Sequence, residues 1–263
     1  MPKLTGFVLA LAVFTAGFAF GQDPKPQPAP VLKDAELTPE DQKAREVLLE
    51  RLIALIVAKD ASSSKRANAC TMLGKFGEHG KAGVPAVLAF IDSQLAEQAG
   101  MQRYYYYNDR RNTMQVMYPT GTNDRLIQAV EALGSIGSDA KTALPVLIKL
   151  SGTVVLEAME RPGEADKGNV PADPKPAKLL RATAAVALGR VGGEEALAAL
   201  TKLLNIEKSS DTRLGAVDGM IVLAKSTDKT VNLPAQAQLQ MIAEVDEDKA
   251  VRYAAAEALG PKK

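Results

Sequence analysis

The side chains that most often carry chemistry are scarce in this sequence. The 263 residues include no tryptophan, one cysteine and one histidine. The single histidine, His79, cannot supply a metal site built from several histidines, and its polar glycine corner does not suit a Ser-His-Asp triad. Acidic residues are plentiful, so an active site built from two carboxylates stays open. We otherwise expect no catalytic residue, no metal site and no cofactor, and therefore a protein that is not an enzyme.

The cysteine count and the net charge exclude further classes. Cys70 has no second cysteine with which to form a disulfide, so stability has to come from packing, and its helical surroundings predict a buried thiol. The chain has 32 basic and 31 acidic residues. Such a balance provides no long-range positive field to concentrate phosphate backbones. We therefore expect no nucleic-acid partner.

The first residues predict export. Lys3 precedes an apolar run over residues 4–20, and Ala19-Phe20-Gly21 before Gln22 matches the small-residue pattern of a cleavage site, which is typical of a secretory signal peptide. We expect residues 1–21 to be the signal peptide, with cleavage after Gly21 and export to the periplasm or the extracellular medium. The alternative is a retained membrane anchor, since about 17 apolar residues approach the length of a spanning helix. No other contact with a membrane is expected.

Composition also predicts the domain boundaries. Residues 22–37 hold four prolines and few large apolar side chains, so they predict an extended linker. Residues 38–263 form the folded domain, and Thr38 followed by Pro39 predicts a helix start. Aromatic residues are only 5% of the chain, whereas alanine and leucine are frequent, which favours helix packing over sheets. The apolar stripe of this first helix comprises Val47, Leu48, Leu52, Leu55 and Ile56.

The clearest pair of helices lies between Leu179 and Leu204. Apolar residues recur at helical spacing on both sides of Gly192 and Gly193. These glycines end the first helix because glycine enters the left-handed conformation at little steric cost. Glu194 then begins the second helix, where a carboxylate complements the positive end of the helix dipole. One such pair cannot bury its own apolar face, so neighbouring pairs have to stack on it.

The same pattern recurs along the chain. Copies of the first helix occupy residues 66–77, 126–137, 181–192, 213–224 and 252–260. Each copy has a small residue four positions before a key apolar residue, where a small side chain lets helix backbones approach closely. The key residues are Leu73, Leu133, Leu188, Met220 and Leu259. The first three are followed by glycine, which costs about 1 kcal/mol inside a helix and therefore indicates a packing reason.

Prolines mark the second helices of the pairs. Pro85 and Pro145 each fall 12 residues after a key leucine, and Pro234 occupies a similar place later in the chain. Proline suits the start of a helix, where its missing N–H would have no partner within the helix. Two copies in the same register indicate a true repeat.

These motifs resemble the HEAT-repeat family, specifically the short HEAT-like repeats of bacterial proteins. Those repeats run R-x-x-A-x-x-x-L-G-x-[IVF]-G and continue into a V-P-x-L helix. The resemblance implies an all-α fold, an α-solenoid of about ten helices stacked as antiparallel pairs. It also implies a ladder of arginines, each paired with an acid in the preceding corner. The matching arginines are Arg66, Arg181, Arg213 and Arg252, and the acids upstream are Asp60, Asp211 and Asp248.

The first of two insertions between the repeats, near residues 100–122, contains five of the six tyrosines. Tyrosine and arginine dominate many protein interfaces, which favours a recognition loop. The alternative is a long loop or an extended helix end that packs on its own solenoid. The candidate partner-binding residues are Arg103, Tyr104, Tyr105, Tyr106, Tyr107, Arg110, Arg111 and Tyr118.

The second insertion, near residues 162–177, is rich in proline, glycine and charge. That composition predicts a mobile loop without a binding role. The first insertion is therefore the one we connect with function.

The repeats favour a binding protein. We expect a non-enzymatic scaffold or adaptor, monomeric, that presents a curved helical surface together with the tyrosine-rich loop. A protein or a peptide is the expected partner, and a glycan is the next choice. The alternative is an accessory subunit or an enzyme resembling the HEAT-like lyases, which attach bilin pigments. That alternative requires the protein to be in the cytoplasm, and the expected export argues against it.

Overall fold

The computed structural model of the chain describes residues 38–100, 104–108, 113–117, 122–152, 175–206 and 209–260. The expected signal peptide and the proline-rich linker lie outside these residues. The chain divides into two compact units, Met1–Gln42 and Lys43–Lys263. The repeats lie in the second unit, and only residues 38–42 of the first are described.

Ten α-helices, two 3₁₀ helices and one pair of strands make up the described residues. The helices that open a repeat are α2 (Ser63–Gly74), α4 (Thr122–Ile136), α6 (Lys175–Val191), α8 (Ser210–Ala224) and α10 (Lys249–Leu259). The helices that follow them are α3 (Val84–Gly100), α5 (Leu144–Ser151), α7 (Glu194–Ile206) and α9 (Lys229–Val245). The remaining elements are α1 (Pro39–Val57) before the repeats, and β1 (Tyr104–Asn108) and β2 (Thr113–Met117) between α3 and α4.

The opening helices stack in chain order. α2 packs against α4, α4 against α6, α6 against α8, and α8 against α10. Each following helix packs against the next opening helix, as α3 does against α4 and α5 against α6. The predicted all-α solenoid of about ten helices in stacked pairs is confirmed. Within the described residues, the pair of strands is the one departure from it.

The first helix begins where the sequence predicts. Thr38 Oγ1 accepts a hydrogen bond from the Asp41 backbone N–H at 3.2 Å, and Asp41 Oδ2 accepts one from the Thr38 N–H at 3.2 Å. This reciprocal cap satisfies two backbone donors at the start of α1.

The apolar stripe of α1 is buried at two positions only. Leu52 and Ile56 join the core, whereas Val47, Leu48 and Leu55 are exposed. The prediction of one continuous core-facing stripe is wrong at these three positions. α1 precedes the first repeat, and only Leu52 and Ile56 of its side chains are buried, which is a narrower apolar face than the five positions of the stripe provide.

The key residues of the repeats form the core. Four of them have no exposed surface: Leu73, Leu133, Leu188 and Met220. The fifth, Leu259, is the last residue of α10 and is 41% exposed. The predicted equivalence of the five positions is therefore wrong for Leu259, because no helix of the described chain follows α10 to cover it.

The glycine after a key leucine faces the residue before the next key leucine. A Cβ atom on Gly74 would lie 2.9 Å from the Cα atom of Ala132, and a Cβ atom on Gly134 would lie 3.1 Å from that of Ala187. Both distances are shorter than an ordinary van der Waals contact. The recurring glycines thus have the packing reason that the sequence indicates, since they let consecutive opening helices touch through their backbones.

The closest approach of all these helices is between α6 and α8. A Cβ atom on Gly189 would lie 2.3 Å from the carbonyl oxygen of Gly219, and one on Gly215 would lie 2.7 Å from the Cα atom of Ala182. Two backbone contacts one above the other fix the spacing and the register of the two helices. This pair includes the helix that opens the most regular repeat of the chain.

The corners after α2, α4 and α6 use glycine in the left-handed region. The backbone angle φ is 55° at Gly77, 75° at Gly137 and 78° at Gly192. Side chains rarely adopt this conformation, so glycine is favoured there. After the first two glycines a 3₁₀ helix leads into the following α-helix, over Gly77–Gly83 and Gly137–Ala143.

Two of the three marker prolines lie at helix starts. Pro85 and Pro145 are each the second residue of a helix, as predicted. Pro234 instead lies inside α9, which begins five residues earlier, so the prediction is wrong there. Asp228 caps α9 by accepting a hydrogen bond from the Thr230 N–H at 2.9 Å. This cap sets the helix start ahead of the proline.

At Arg213 the paired acid lies after the arginine in the chain, whereas the predicted ladder has the acid before it. This residue of α8 binds Asp246, which lies in the corner after α9, and Glu247 lies 3.2 Å from the same guanidinium group. Arg252 donates a hydrogen bond to the backbone carbonyl of Asp246. The acid therefore comes from the following corner, because that corner lies beside α8 in the stack.

Arg66 uses different contacts. Its Nε atom donates a hydrogen bond to the carbonyl oxygen of Ile56 at 2.7 Å, and its guanidinium carbon lies 4.9 Å from the centre of the Phe90 ring. These contacts connect α2 to α1 and α3. They replace the pairing of Arg66 with Asp60 that the ladder predicts. Arg181 of α6 is buried.

Candidate functional site

The tyrosine-rich insertion forms an antiparallel β-hairpin between α3 and α4. The register runs from Tyr104 opposite Met117 to Asn108 opposite Thr113. The prediction of a loop or an extended helix end is therefore wrong in conformation. Aromatic and β-branched residues suit a pleated ribbon better than a helix, and four consecutive tyrosines make that preference strong.

Tyrosines occupy both faces of this ribbon. Successive residues of a strand alternate between its faces, so Tyr104 and Tyr106 lie on one face and Tyr105 and Tyr107 on the other. The hairpin brings all four tyrosines into one strand beside the uncharged strand β2. The other predicted partner-binding residues lie outside the described residues: Arg103, Arg110, Arg111 and Tyr118.

The second insertion needs a small correction. Residues 162–174 lie outside the described residues, and α6 begins at Lys175. The last three residues of the predicted loop are therefore helical. Pro176 at the second position of α6 suits a helix start.

A groove of about 320 Å³ crosses α4, α6 and α8. Small residues line the groove where these helices approach one another closely. The groove stays open because the side chains of these residues are too small to fill it. These small residues are Gly134, Ala182, Ala187 and Gly215, and the larger apolar residues of the groove are Leu179, Val186 and Leu214. The groove is thus a consequence of the same backbone contacts that hold the stack together.

Four exposed charged residues line this groove, namely Glu131, Arg190, Asp211 and Asp218. Three acids and one base make the groove negative. Desolvation raises the pKa of Asp218, and the nearby Arg190 opposes that rise. The groove therefore disfavours anionic ligands.

Sequence reasoning missed the groove because its residues come from three separate helices. A signal exists, however, in the alignment of the repeat copies. Glu131, Val186 and Asp218 each lie two positions before a key residue, so two of these three equivalent positions carry an acid. Each acid taken alone is typical of an ordinary solvated helix face.

A second concavity, of about 540 Å³, lies along α7 alone. Its lining residues are Glu194, Leu197, Ala198, Thr201, Lys202 and Asn205. Because one helix supplies all of them, this concavity is a flank of the stack and not an enclosed pocket.

The residues with catalytic potential lie in structural positions. Cys70 is buried, and burial raises the pKa of its thiol to about 12, so the predicted buried thiol is confirmed. A thiol that stays protonated at neutral pH is a poor nucleophile. His79 lies in the first 3₁₀ helix.

The described part of the chain holds neither a candidate metal site nor a candidate membrane span. None of its His, Cys, Asp and Glu residues form a group of three suited to holding a metal ion. None of the helices described above is both long enough and apolar enough to cross a membrane.

The stacked pairs, the glycine contacts and the corners together define an α-solenoid of short helical repeats. Residues 180–205, which lie within α6 and α7, match the family described as PBS lyase HEAT-like repeat. This match confirms the resemblance to the HEAT-repeat family. A comparison with curated proteins gave no match.

Proposed function

We propose that this protein is a non-enzymatic binding scaffold whose β-hairpin contacts a protein or peptide partner, with a glycan as the next choice. The observation that carries the proposal is the hairpin itself. It places four tyrosines in one five-residue strand, whereas the other regular elements of the described residues are helices. Tyrosine combines a large apolar area with a polar tip, and it loses little conformational entropy when it binds.

The helix that follows the hairpin in the chain is held firmly in the stack. The hairpin leads into α4, which touches α2 through Gly74 and Ala132 and touches α6 through Gly134 and Ala187. Backbone contacts of this kind leave little freedom for α4 to shift. A recognition element on a rigid support loses less entropy on binding than one on a flexible support.

The proposal is tested by affinity capture from the exported fraction of the source cells. The bait is the intact protein, and the comparison variant has residues 100–122 replaced by a glycine-serine segment of equal length. We expect one or a few proteins to be captured by the intact chain and lost with the variant. Equal capture by both baits would overturn the role of the hairpin.

A matched control removes an exposed tyrosine elsewhere. Tyr253 of α10 is 70% exposed and lies outside the hairpin. The variant Tyr253→Ser is expected to capture the same proteins as the intact chain. A loss with Tyr253→Ser would indicate general surface stickiness instead of recognition by the hairpin.

We also propose that the protein acts after export and as a monomer. The support for export is the leader-like pattern of residues 1–21. Mass spectrometry of the cell-fractionated protein is expected to find a chain that begins at Gln22, whereas a chain that begins at Met1 would contradict cleavage. Light scattering after size exclusion is expected to give the mass of one chain, and a stable dimer would contradict the monomer.

The second candidate function is that of an accessory subunit or enzyme of the HEAT-like lyase type. It is favoured only by the description of the matched family, which names a lyase. Mixing the purified protein with a bilin tests it, because a bound bilin changes its absorption spectrum. An unchanged spectrum at equal concentrations of protein and pigment would leave the scaffold as the better account.

A further inference from the structure

We propose that the groove across α4, α6 and α8 binds an extended basic segment of a partner protein, whose lysine or arginine side chains meet the acidic walls of the groove. This inference goes beyond the proposed function, because the groove and the hairpin share no residue. All the residues that line the groove belong to the described part of the chain.

The floor of the groove is one face of α6, which packs against both α4 and α8 and therefore lies between them. The hydroxyl group of Thr183 on this face donates a hydrogen bond to the carbonyl oxygen of Leu179 at 2.8 Å, so it is turned to its own helix. Leu179 is 56% exposed, which shows that the floor is open to solvent. The residues of the floor recur at helical spacing: Leu179, Ala182, Thr183, Val186, Ala187 and Arg190.

The two walls of the groove carry its acids. α4 contributes Glu131 on one side of the floor, and α8 contributes Asp211 and Asp218 on the other. All three residues are exposed, and none of them forms an ion pair with another described residue. With Arg190, the lining residues carry a net charge of −2 (three acids minus one arginine). A cation on the floor would therefore have carboxylates on both sides.

Arg190 compensates these acids incompletely. Its stem lies against α4, since a Cβ atom on Gly134 would be 3.5 Å from the Cδ atom of Arg190. Although Asp218 is in contact with solvent, desolvation is the largest influence on its pKa and raises it, and the opposing effect of Arg190 is smaller. A further cation would favour the charged form of this carboxylate, so the groove complements a basic ligand.

The dimensions of the groove favour an extended segment over a single small cation. Leu179 and Arg190 are the first and the last residues of α6 that line it, so it runs about 16 Å along that helix. An extended chain covers this length with about five residues. Asp211 and Asp218 lie about 10 Å apart along α8, which matches two basic residues three positions apart in such a chain.

The groove is formed before any ligand binds. Ala187 of the floor touches α4 at Gly134, and Ala182 touches α8 at Gly215, through contacts of backbone on backbone. The walls therefore have little freedom to move relative to the floor. A site that is already in its binding conformation loses less entropy when a ligand enters it.

The first test uses a synthetic peptide, Ala-Arg-Val-Ala-Arg-Ala, blocked at both ends, and calorimetry with the full-length protein. We expect saturable binding to one site. A second peptide has citrulline in place of both arginines, which keeps their shape and removes their charge, and we expect it to bind at least about tenfold more weakly. Equal binding of the two peptides, or no saturable binding of the first at about 1 mM, would overturn the proposal. Arginine amide that binds as tightly as the first peptide would overturn the extended occupant.

Protein variants locate the bound peptide. Replacing both Asp211 and Asp218 by asparagine keeps the shape of one wall and removes its charge, so we expect binding of the arginine peptide to weaken about tenfold. The matched control is Glu257→Gln, which removes an exposed acid of α10 outside the groove and is expected to leave binding unchanged. Equal losses in the two variants would mean general attraction to acids and would contradict the site. Arg190→Gln is expected to tighten binding about threefold, because it removes a repulsive charge, and a weakening would contradict the proposed arrangement.

A last comparison separates failure of this inference from failure of the proposed function. The variant in which a glycine-serine segment replaces residues 100–122 is expected to bind the arginine peptide as the intact chain does. Capture of a natural partner by the intact chain without any peptide binding would refute the groove and leave the scaffold standing. Peptide binding without any capture would leave the groove and refute the role of the hairpin. A dimer in light scattering that the double asparagine variant abolishes would refute the choice of occupant.

Discussion

The guanidinium group of Arg213 donates hydrogen bonds of 3.0 Å to both carboxylate oxygens of Asp246, and the two side chains are 4% and 5% exposed. Asp246 Oδ1 also accepts a hydrogen bond from the Asp248 backbone N–H at 2.8 Å. One buried carboxylate therefore connects α8 to the corner between α9 and α10. A two-point contact of this kind fixes distance and orientation together.

Breaking this pair is expected to be costly. In Asp246→Ala the guanidinium of Arg213 keeps its buried position without its main counter-charge, so the free energy of unfolding is expected to fall by about 3 kcal/mol. Urea denaturation measures this fall in the free energy of unfolding. The matched control is Glu247→Gln, because Glu247 contacts the same guanidinium from an 81% exposed position. Its effect is expected to stay below about 1 kcal/mol, and equal losses in the two variants would contradict a special role for the buried pair.

The contact between Gly189 and Gly219 predicts a steric limit. In Gly189→Ala the new Cβ atom would meet backbone atoms of Gly219 at 2.3 to 2.4 Å, and backbone cannot rotate away. The steric cost, about 3 kcal/mol, exceeds the roughly 1 kcal/mol that alanine gains over glycine in a helix. Thermal unfolding measures the net loss. Gly152→Ala is the control, since its Cβ atom would lie 3.6 Å from the nearest atom, and a loss there as large as at Gly189 would contradict the steric account.

Asp218 predicts a dependence of stability on pH. Desolvation raises the pKa of Asp218 in the folded chain above its ordinary value of 3.8, so the folded chain holds this proton more tightly than the unfolded chain does. Stability from this group is therefore present below pH 3.8 and lost as the pH rises through the folded pKa. Relative to the wild type, the variant Asp218→Asn is expected to become more stable as the pH is raised from about 3.5 to about 7. A relative loss over the same interval would show that attraction to Arg190 outweighs desolvation.

Cys70 predicts slow chemical labelling. Burial and a pKa of about 12 leave little thiolate at pH 8, so alkylation by iodoacetamide is expected to be at least about a thousandfold slower than in denaturant. The labelling rate is followed by mass spectrometry over a series of urea concentrations. We expect the rate of Cys70 labelling to rise together with the unfolded fraction of the protein. Fast labelling of the native protein would mean that α2 opens locally without global unfolding.

The sequence is most informative about contacts that repeat. The small residue, the key apolar residue and the glycine after it recur because every opening helix meets its neighbour in the same way, and so Gly74 and Gly134 predict close approaches that the structure confirms. The corners at Gly77 and Gly137 are predictable for a similar reason. Local chemistry and tertiary packing agree at these positions.

Most of the wrong predictions have a common physical origin, which is a neighbour that the local sequence pattern does not contain. Arg213 pairs with an acid 33 residues downstream, a partner that only the stacking brings close. Pro234 is drawn into a helix by the cap at Asp228, a side chain six residues before it. The groove at Asp218 likewise needs three helices at once. The hairpin is a different kind of miss, because strand propensity was present in the four tyrosines but had no repeat to compare with.

The central claim, that the hairpin recognises a partner and does not hold the stack together, is tested most directly by the variant in which Tyr104, Tyr105, Tyr106 and Tyr107 are all serine. The measurement is its thermal midpoint, taken beside partner capture on the same preparation. We predict a midpoint within about 2 °C of the wild type, together with lost capture, because recognition residues contribute little to core packing. A fall of about 8 °C or more would contradict the account, since it would show that the tyrosines stabilise the solenoid itself.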